Sequence, residues 1–240
     1  MLDVHPPHEA AHTWKDFFIH IATIVVGLII AVGLEQTVEY FHHHHEASEL
    51  HEELYAESQQ IVSDSERTDN GLAWQAHWLD KRIQQVKLAV WSGVPLPEPD
   101  SDDIPYFASP DDPIWRSVKA SALVPRLTRG EVNGFSEIEY VANTVRLDDT
   151  SYRAALLQIT RFPSRFPTLA DGKPDLTRAS REDLLAYLDL LTQTASQTAL
   201  YREWILILEG AAKAQLAGKT RLEDFYAAET AQRTGKPQPQ

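Results

Sequence analysis

Hydrophobic and polar positions divide the chain into two regimes. From Phe17 to Leu34 the residues are apolar apart from His20 and Thr23. After Glu35 apolar residues return only at intervals: Leu50, Leu54, Ile61, Thr68, Leu72, Leu79, Ile83, Val86 and Val90 fall at steps of three, four or seven. The first pattern predicts a helix that is oily all round, and the second a long helix with one apolar seam. The second ends on a stop signal, Trp91-Ser92-Gly93-Val94-Pro95, with glycine where a left-handed cap belongs and proline beyond. Asp69-Asn70-Gly71 is a plausible break within it. A stalk continuous from residue 35 would be roughly 85 Å long, and its seam needs a cover.

The segment Ser180 to Leu216 supplies that cover. Ser180 with Asp183 three residues on makes an N-cap, and Leu184, Leu188, Leu191, Ala195, Thr198, Tyr201, Ile205, Leu208, Ala212 and Leu216 share one face. It is expected to run antiparallel to the stalk. Further helices are expected over Pro113 to Leu123 and Glu131 to about Phe162, the latter breakable near Asp148 and Asp149. Loops at 94–112 and 163–177 separate them. The fold class expected is therefore all-α: a single N-terminal transmembrane helix continuing into a long helix, with an elongated four-helix-bundle-like ectodomain over 35–229. Residues 1–16 form a cytoplasmic tail, 17–34 the span, and 230–240 a disordered tail.

The oily run has the length of a span. Eighteen helical residues rise roughly 27 Å, close to the roughly 30 Å hydrocarbon core. Twelve of them are Phe, Ile, Val or Leu, and each favours insertion. Trp14 on one side and Tyr40 with Phe41 on the other put aromatic rings about 39 Å apart, at both headgroup layers. Three other readings compete. A buried core helix would show a polar face, which is missing. A signal peptide, suggested by Ala31-Val32-Gly33, conflicts with a preceding region holding Asp3, Glu9 and Asp16 against Lys15 alone. An in-plane helix lacks its cationic face. An uncleaved single span in the bacterial inner membrane is the reading kept. Lys15 is the only Lys or Arg before Arg67, which orients the N-terminus to the cytoplasm and the C-terminal domain to the periplasm.

Within the run, Asp16, His20, Thr23, Gly27, Ala31 and Glu35 recur at three- or four-residue steps and so share one face. Thr23, Gly27 and Ala31 form a stripe on which helices can pack; Asp16, His20 and Glu35 are its ionisable members. The lipid bilayer is one expected partner, and a second copy or other membrane-protein subunits the other.

Composition narrows the chemistry. With 22 Lys+Arg against 35 Asp+Glu the net charge is -13, which repels phosphate backbones and excludes nucleic acid as a partner. The absence of cysteine removes disulfides, thiolate metal sites and cysteine nucleophiles. Nine of ten histidines lie in the first fifty-one residues. His42 to His45 point in four directions on a helix, so alone they cannot converge on a metal. Glu39 and His42 have the carboxylate-x-x-histidine spacing of di-iron bundles, but no second motif matches it. Neither metal nor cofactor is expected, although a sensor or metal-binding module built on this His/Glu collar is the alternative function. His5, His8 and His12 lie in a proline-broken tail.

Four motif fragments are incomplete. Gly218-Lys219-Thr220 lacks the upstream glycine of a phosphate loop, and His51 to Tyr55 the second histidine of a zinc protease. Asp100 to Asp103 lacks the glycine and glutamate of a calcium loop. Ser136 lacks the second glycine of a nucleophile elbow. No catalytic residue set is expected, and the chain reads as a non-enzyme.

Val26-Gly27-Leu28-Ile29-Ile30-Ala31-Val32 followed by a polar helix start, and Trp115, Ser121, Leu123, Leu127, Glu131 and Tyr140 further on, resemble uncharacterised bacterial single-span envelope proteins. Those proteins carry an N-terminal G-hydrophobic-A anchor and a helical ectodomain. The likeness covers about a quarter of the chain, and the His42 to His45 block departs from it. It implies a Gram-negative envelope protein acting in assembly or as an accessory subunit of a membrane complex. It carries over no functional residues.

Overall fold

The computed structural model describes residues 14–97, 107, 109–170 and 172–235. Residues 1–13 of the predicted tail over 1–16, with its three histidines, the acidic stretch 100–103 and the last five residues lie outside them, while residues 14–16 begin α1. Among the described residues the fold is all-α, with helices α1 (Trp14–Ser92), α2 (Pro113–Ala120), α3 (Arg129–Arg161), α4 (Arg181–Leu216) and α5 (Leu222–Thr234). Two compact units divide at residue 50, so α1 contributes residues 14–50 to the first and 51–92 to the second.

The first unit is helix alone among the described residues. Its side chains from Phe17 to Phe41 are all exposed. It contains an eighteen-residue window long and apolar enough to cross a membrane, none of it buried.

The second unit is built on a 3.5-residue repeat. In α3 the buried positions Phe135, Ile138, Ala142, Val145, Asp149, Tyr152, Leu156 and Ile159 alternate steps of three and four. The same alternation runs through Leu184, Tyr187, Leu191, Thr194, Thr198, Tyr201, Ile205, Leu208, Ala212 and Gln215 in α4. In α1 it runs through Ile61, Ser65, Thr68, Leu72, Gln75, Leu79, Arg82, Val86 and Ala89. Such a repeat keeps three seams facing one another along their length, as in coiled coils.

Side-chain pairs set the directions. His51 Nδ1 lies 2.8 Å from Glu131 Oε1, and Tyr152 donates to Gln75 Oε1 at 2.6 Å, so α3 runs parallel to α1. Arg202 Nε donates to Asp69 at 2.6 Å, and Arg82 sits over the Tyr187 ring at 5.7 Å. The second pair is later in α1 and earlier in α4, so α4 runs antiparallel, as its pattern predicted.

Two expectations need correction. Neither Asp69-Asn70-Gly71 nor Asp148-Asp149 breaks its helix; Asp69 is held by Arg202 and Asp149 faces the core, so packing overrides local propensity. Three long helices run the length of the core, and α2 and α5 add Trp115, Val118, Phe225 and Ala228 to it. Finally, α5 claims residues 230–234 of the expected tail, because Phe225 and Ala228 give it an apolar face to bury.

Helix ends follow local chemistry. Gly93 takes the left-handed conformation expected of it, φ 67°. Ser180 and Asp183 form a reciprocal capping box at the start of α4, and Thr128 with Glu131 another at the start of α3.

Candidate functional site

The residues singled out in the apolar run all lie on α1 in the first unit. Its unbroken helix sets Asp16, His20, Thr23, Gly27, Ala31 and Glu35 along one stripe. A methyl group on Gly27 would meet nothing within 4 Å, so nothing in the fold itself requires glycine there. The Thr23 hydroxyl donates to the Ile19 carbonyl at 2.9 Å, which satisfies it within its own helix. Trp14 makes an edge contact with Phe17 at 5.8 Å between ring centroids. Tyr40 contacts Phe41 at 5.9 Å and stacks on His44, 3° from parallel.

The histidine collar resolves into pairs along one helix. His42 lies 3.1 Å from Glu46 and His45 3.2 Å from Glu49. His43 reaches Glu39 and Glu46 at 3.5 Å each. No group of three His, Asp or Glu side chains suited to a metal occurs among the described residues.

The second unit holds polar groups that the sequence pattern did not flag. Glu57 is buried, and its two carboxylate oxygens accept from Ile114 N at 2.6 Å and Trp115 N at 3.0 Å. It thereby caps α2, whose own N-cap, Asp112, makes no side-chain capping bond to the backbone of the helix. Burial pushes the Glu57 carboxyl up, against the pull of those two N–H groups. Asp112 is fully buried and accepts from Arg146 at 2.8 Å; burial raises it too. Trp115 Nε1 donates to Glu139 at 3.1 Å, and Lys119 bonds the same carboxylate at 2.7 Å. These groups fasten α2 across α1 and α3.

Farther along the bundle Tyr152 and Tyr201 stack in the core, and burial, aided by the nearby Asp149, pushes the Tyr152 phenol up to about 12. Beyond them Arg82, Tyr187, Phe162 and Arg165 form a column: guanidinium over ring at 5.7 Å, ring on ring at 4.4 Å, guanidinium over ring at 5.5 Å. Both ring planes are offered to cations, which explains how a buried arginine is accommodated beside aromatic residues.

An open cleft lies where Ala76 of α1, Ala199 and Leu206 of α4 and the end of α5 meet. Its arginines are engaged: Arg202 with Asp69, and Arg233 with Glu203 at 3.0 Å. This leaves the cleft without a free charge to seize an anion. No family model matches the chain, and neither curated proteins nor solved structures give a match.

Proposed function

We propose that the chain is a non-enzymatic protein of the bacterial inner membrane, anchored by residues 17–34, which acts in assembly or as an accessory subunit of a membrane complex. The observation that carries this reading is the fully exposed apolar helix of the first unit. Eighteen oily residues with no protein cover are expensive in water and favourable among lipid tails. Trp14 at one end and Tyr40 and Phe41 at the other suit the headgroup layers. Lys15 sets the N-terminus in the cytoplasm, and the acidic helical unit then faces the periplasm. Kinship with Gram-negative single-span envelope proteins is part of the same proposal.

Assembly rather than catalysis is supported by how the polar residues of the second unit are spent. Glu57, Asp112, Arg146, Glu139 and Arg202 all bond backbone or side chains of neighbouring elements, and so act as fasteners. The stripe of Thr23, Gly27 and Ala31 suits contact with a second copy or another membrane subunit. Extraction of the full chain from native membranes in mild detergent, followed by identification of co-purifying subunits, tests the reading. Recovery in the soluble fraction without detergent overturns it.

A further inference from the structure

The last helix is seated in an unusual way. Where α5 crosses α4, a methyl group on Gly210 would lie 2.7 Å from the Glu229 Cα and 3.0 Å from the Ala228 carbonyl oxygen. The two backbones are thus in direct contact. A second notch at Gly134 of α3 admits the Phe225 ring, 2.6 Å from where a methyl group would sit. Close approach carries Glu229 into the joint, and its Oε1 is buried without a hydrogen-bond partner. The charge of another acid, Glu137 of α3, acts on it as well. The same acids act on the exposed Tyr226, whose phenol is pushed up first by Glu137, then by partial burial, Glu229 and Tyr140.

The neighbouring cations are committed elsewhere. Lys213 of α4 bonds Glu209 and Glu66, Glu209 also accepts from Gln232 of α5 at 2.7 Å, and Arg233 pairs with Glu203.

We propose that docking of α5 is proton-linked: Glu229 holds a proton on its buried carboxyl in the joint beside Gly210, and α5 loosens from α3 and α4 when that proton leaves. A protonated carboxyl loses less on burial than a carboxylate does, and the charge of a second acid adds to the cost of ionising it. Burial, with Glu137 adding to it, pushes Glu229 from 4.5 up to about 7. The sign follows. A group whose folded value is raised stabilises fully below its ordinary value, and that contribution drains away as pH climbs from about 4.5 towards about 7. Docking is therefore firm in acid and weaker in alkali. Only Phe225 and Ala228 of the short helix are fully buried, so the state of Glu229 weighs on its docking.

Hydrogen exchange of the full chain in detergent micelles, at pH 5 and pH 8 and corrected for intrinsic exchange, tests this. Protection over 222–234 is expected to fall about tenfold or more at the higher pH while α4 holds. Glu229→Gln should keep α5 protected at both, and Glu137→Gln should recover part of the loss at pH 8. Corrected protection of α5 that does not fall with pH overturns the proposal, as does a fall that survives both substitutions. Should Glu229→Gln not fold, Glu137→Gln alone decides.

Discussion

Tyr152 of α3 and Tyr201 of α4 stack with ring centroids 4.7 Å apart and planes 15° from parallel. Tyr152 also donates its hydroxyl to Gln75 of α1 at 2.6 Å, so one residue joins all three long helices. The layer is polar at the hydrogen bond and aromatic at the stack, which fixes the register of three seams that are otherwise interchangeable along a heptad repeat.

Removing the hydroxyl while keeping the ring isolates the hydrogen bond. Tyr152→Phe leaves the Gln75 carbonyl buried with no donor, a loss of about 1–3 kcal/mol. At about 2–4 °C per kcal/mol for a unit of this size, the melting temperature should drop by about 2–12 °C. Thermal circular dichroism of the full chain in detergent measures it. An unchanged melting curve would mean that the bond is not formed in solution.

Glu57 stands in for a cap that α2 does not carry itself. Its charged oxygens take both of the first free N–H groups, and bonds of that kind are worth about 1.5–3 kcal/mol each before non-additivity. Glu57→Ala should destabilise the unit by about 2–3 kcal/mol, and Glu57→Gln, which keeps one good acceptor, by roughly half as much. Hydrogen exchange should show the loss concentrated in α2. Equal loss across α3 and α4 would contradict a local role.

The contrast between what pattern reading found and what it missed has one physical cause. Helix starts and stops were legible because caps are local: Ser180 with Asp183 and Gly93 are where their chemistry puts them. The seams were legible only where they are apolar. In α4 the search for apolar residues led to Leu188, Ala195 and Leu216, which are half-buried, whereas the core took Tyr187, Thr194 and Gln215 one position earlier. In α1 it led to Ile83, while Arg82 is the buried residue. A 3.5-residue repeat dictates which position faces inward, and the positions it selects here include polar side chains bonded to distant partners such as Pro97, whose carbonyl accepts from Arg82 at 2.6 Å. The alternation of threes and fours was the available signal. The Glu57 cap and the Glu137 with Glu229 pair left no such signal, since each depends on residues far apart in sequence.

Gly210 should tolerate nothing larger. Its missing side chain is replaced by backbone of α5, which cannot rotate away as a side chain can. Gly210→Ala gains about 1 kcal/mol of helix propensity and loses about 1–3 kcal/mol to overpacking. The net effect should appear as faster limited proteolysis within 222–234, with α4 intact. Cleavage at the wild-type rate would show that α5 does not sit against Gly210.

Self-association through the apolar helix gives the sharpest test of the stripe at Thr23, Gly27 and Ala31. Because the Thr23 hydroxyl is spent on the Ile19 carbonyl, it has no proton to donate across a helix pair, and close approach must rest on the small side chains. A methyl group at Gly27 has open space around it within the chain, so Gly27→Ile should leave the helix and the second unit undisturbed. It should nevertheless shift the full chain towards smaller species in detergent, as read by sedimentation. Thr23→Val should have little effect, and Val25→Leu, on the opposite face, none. If Gly27→Ile and Val25→Leu sediment alike, the stripe takes no part in association, and any partner contact must lie in the helical unit beyond residue 50.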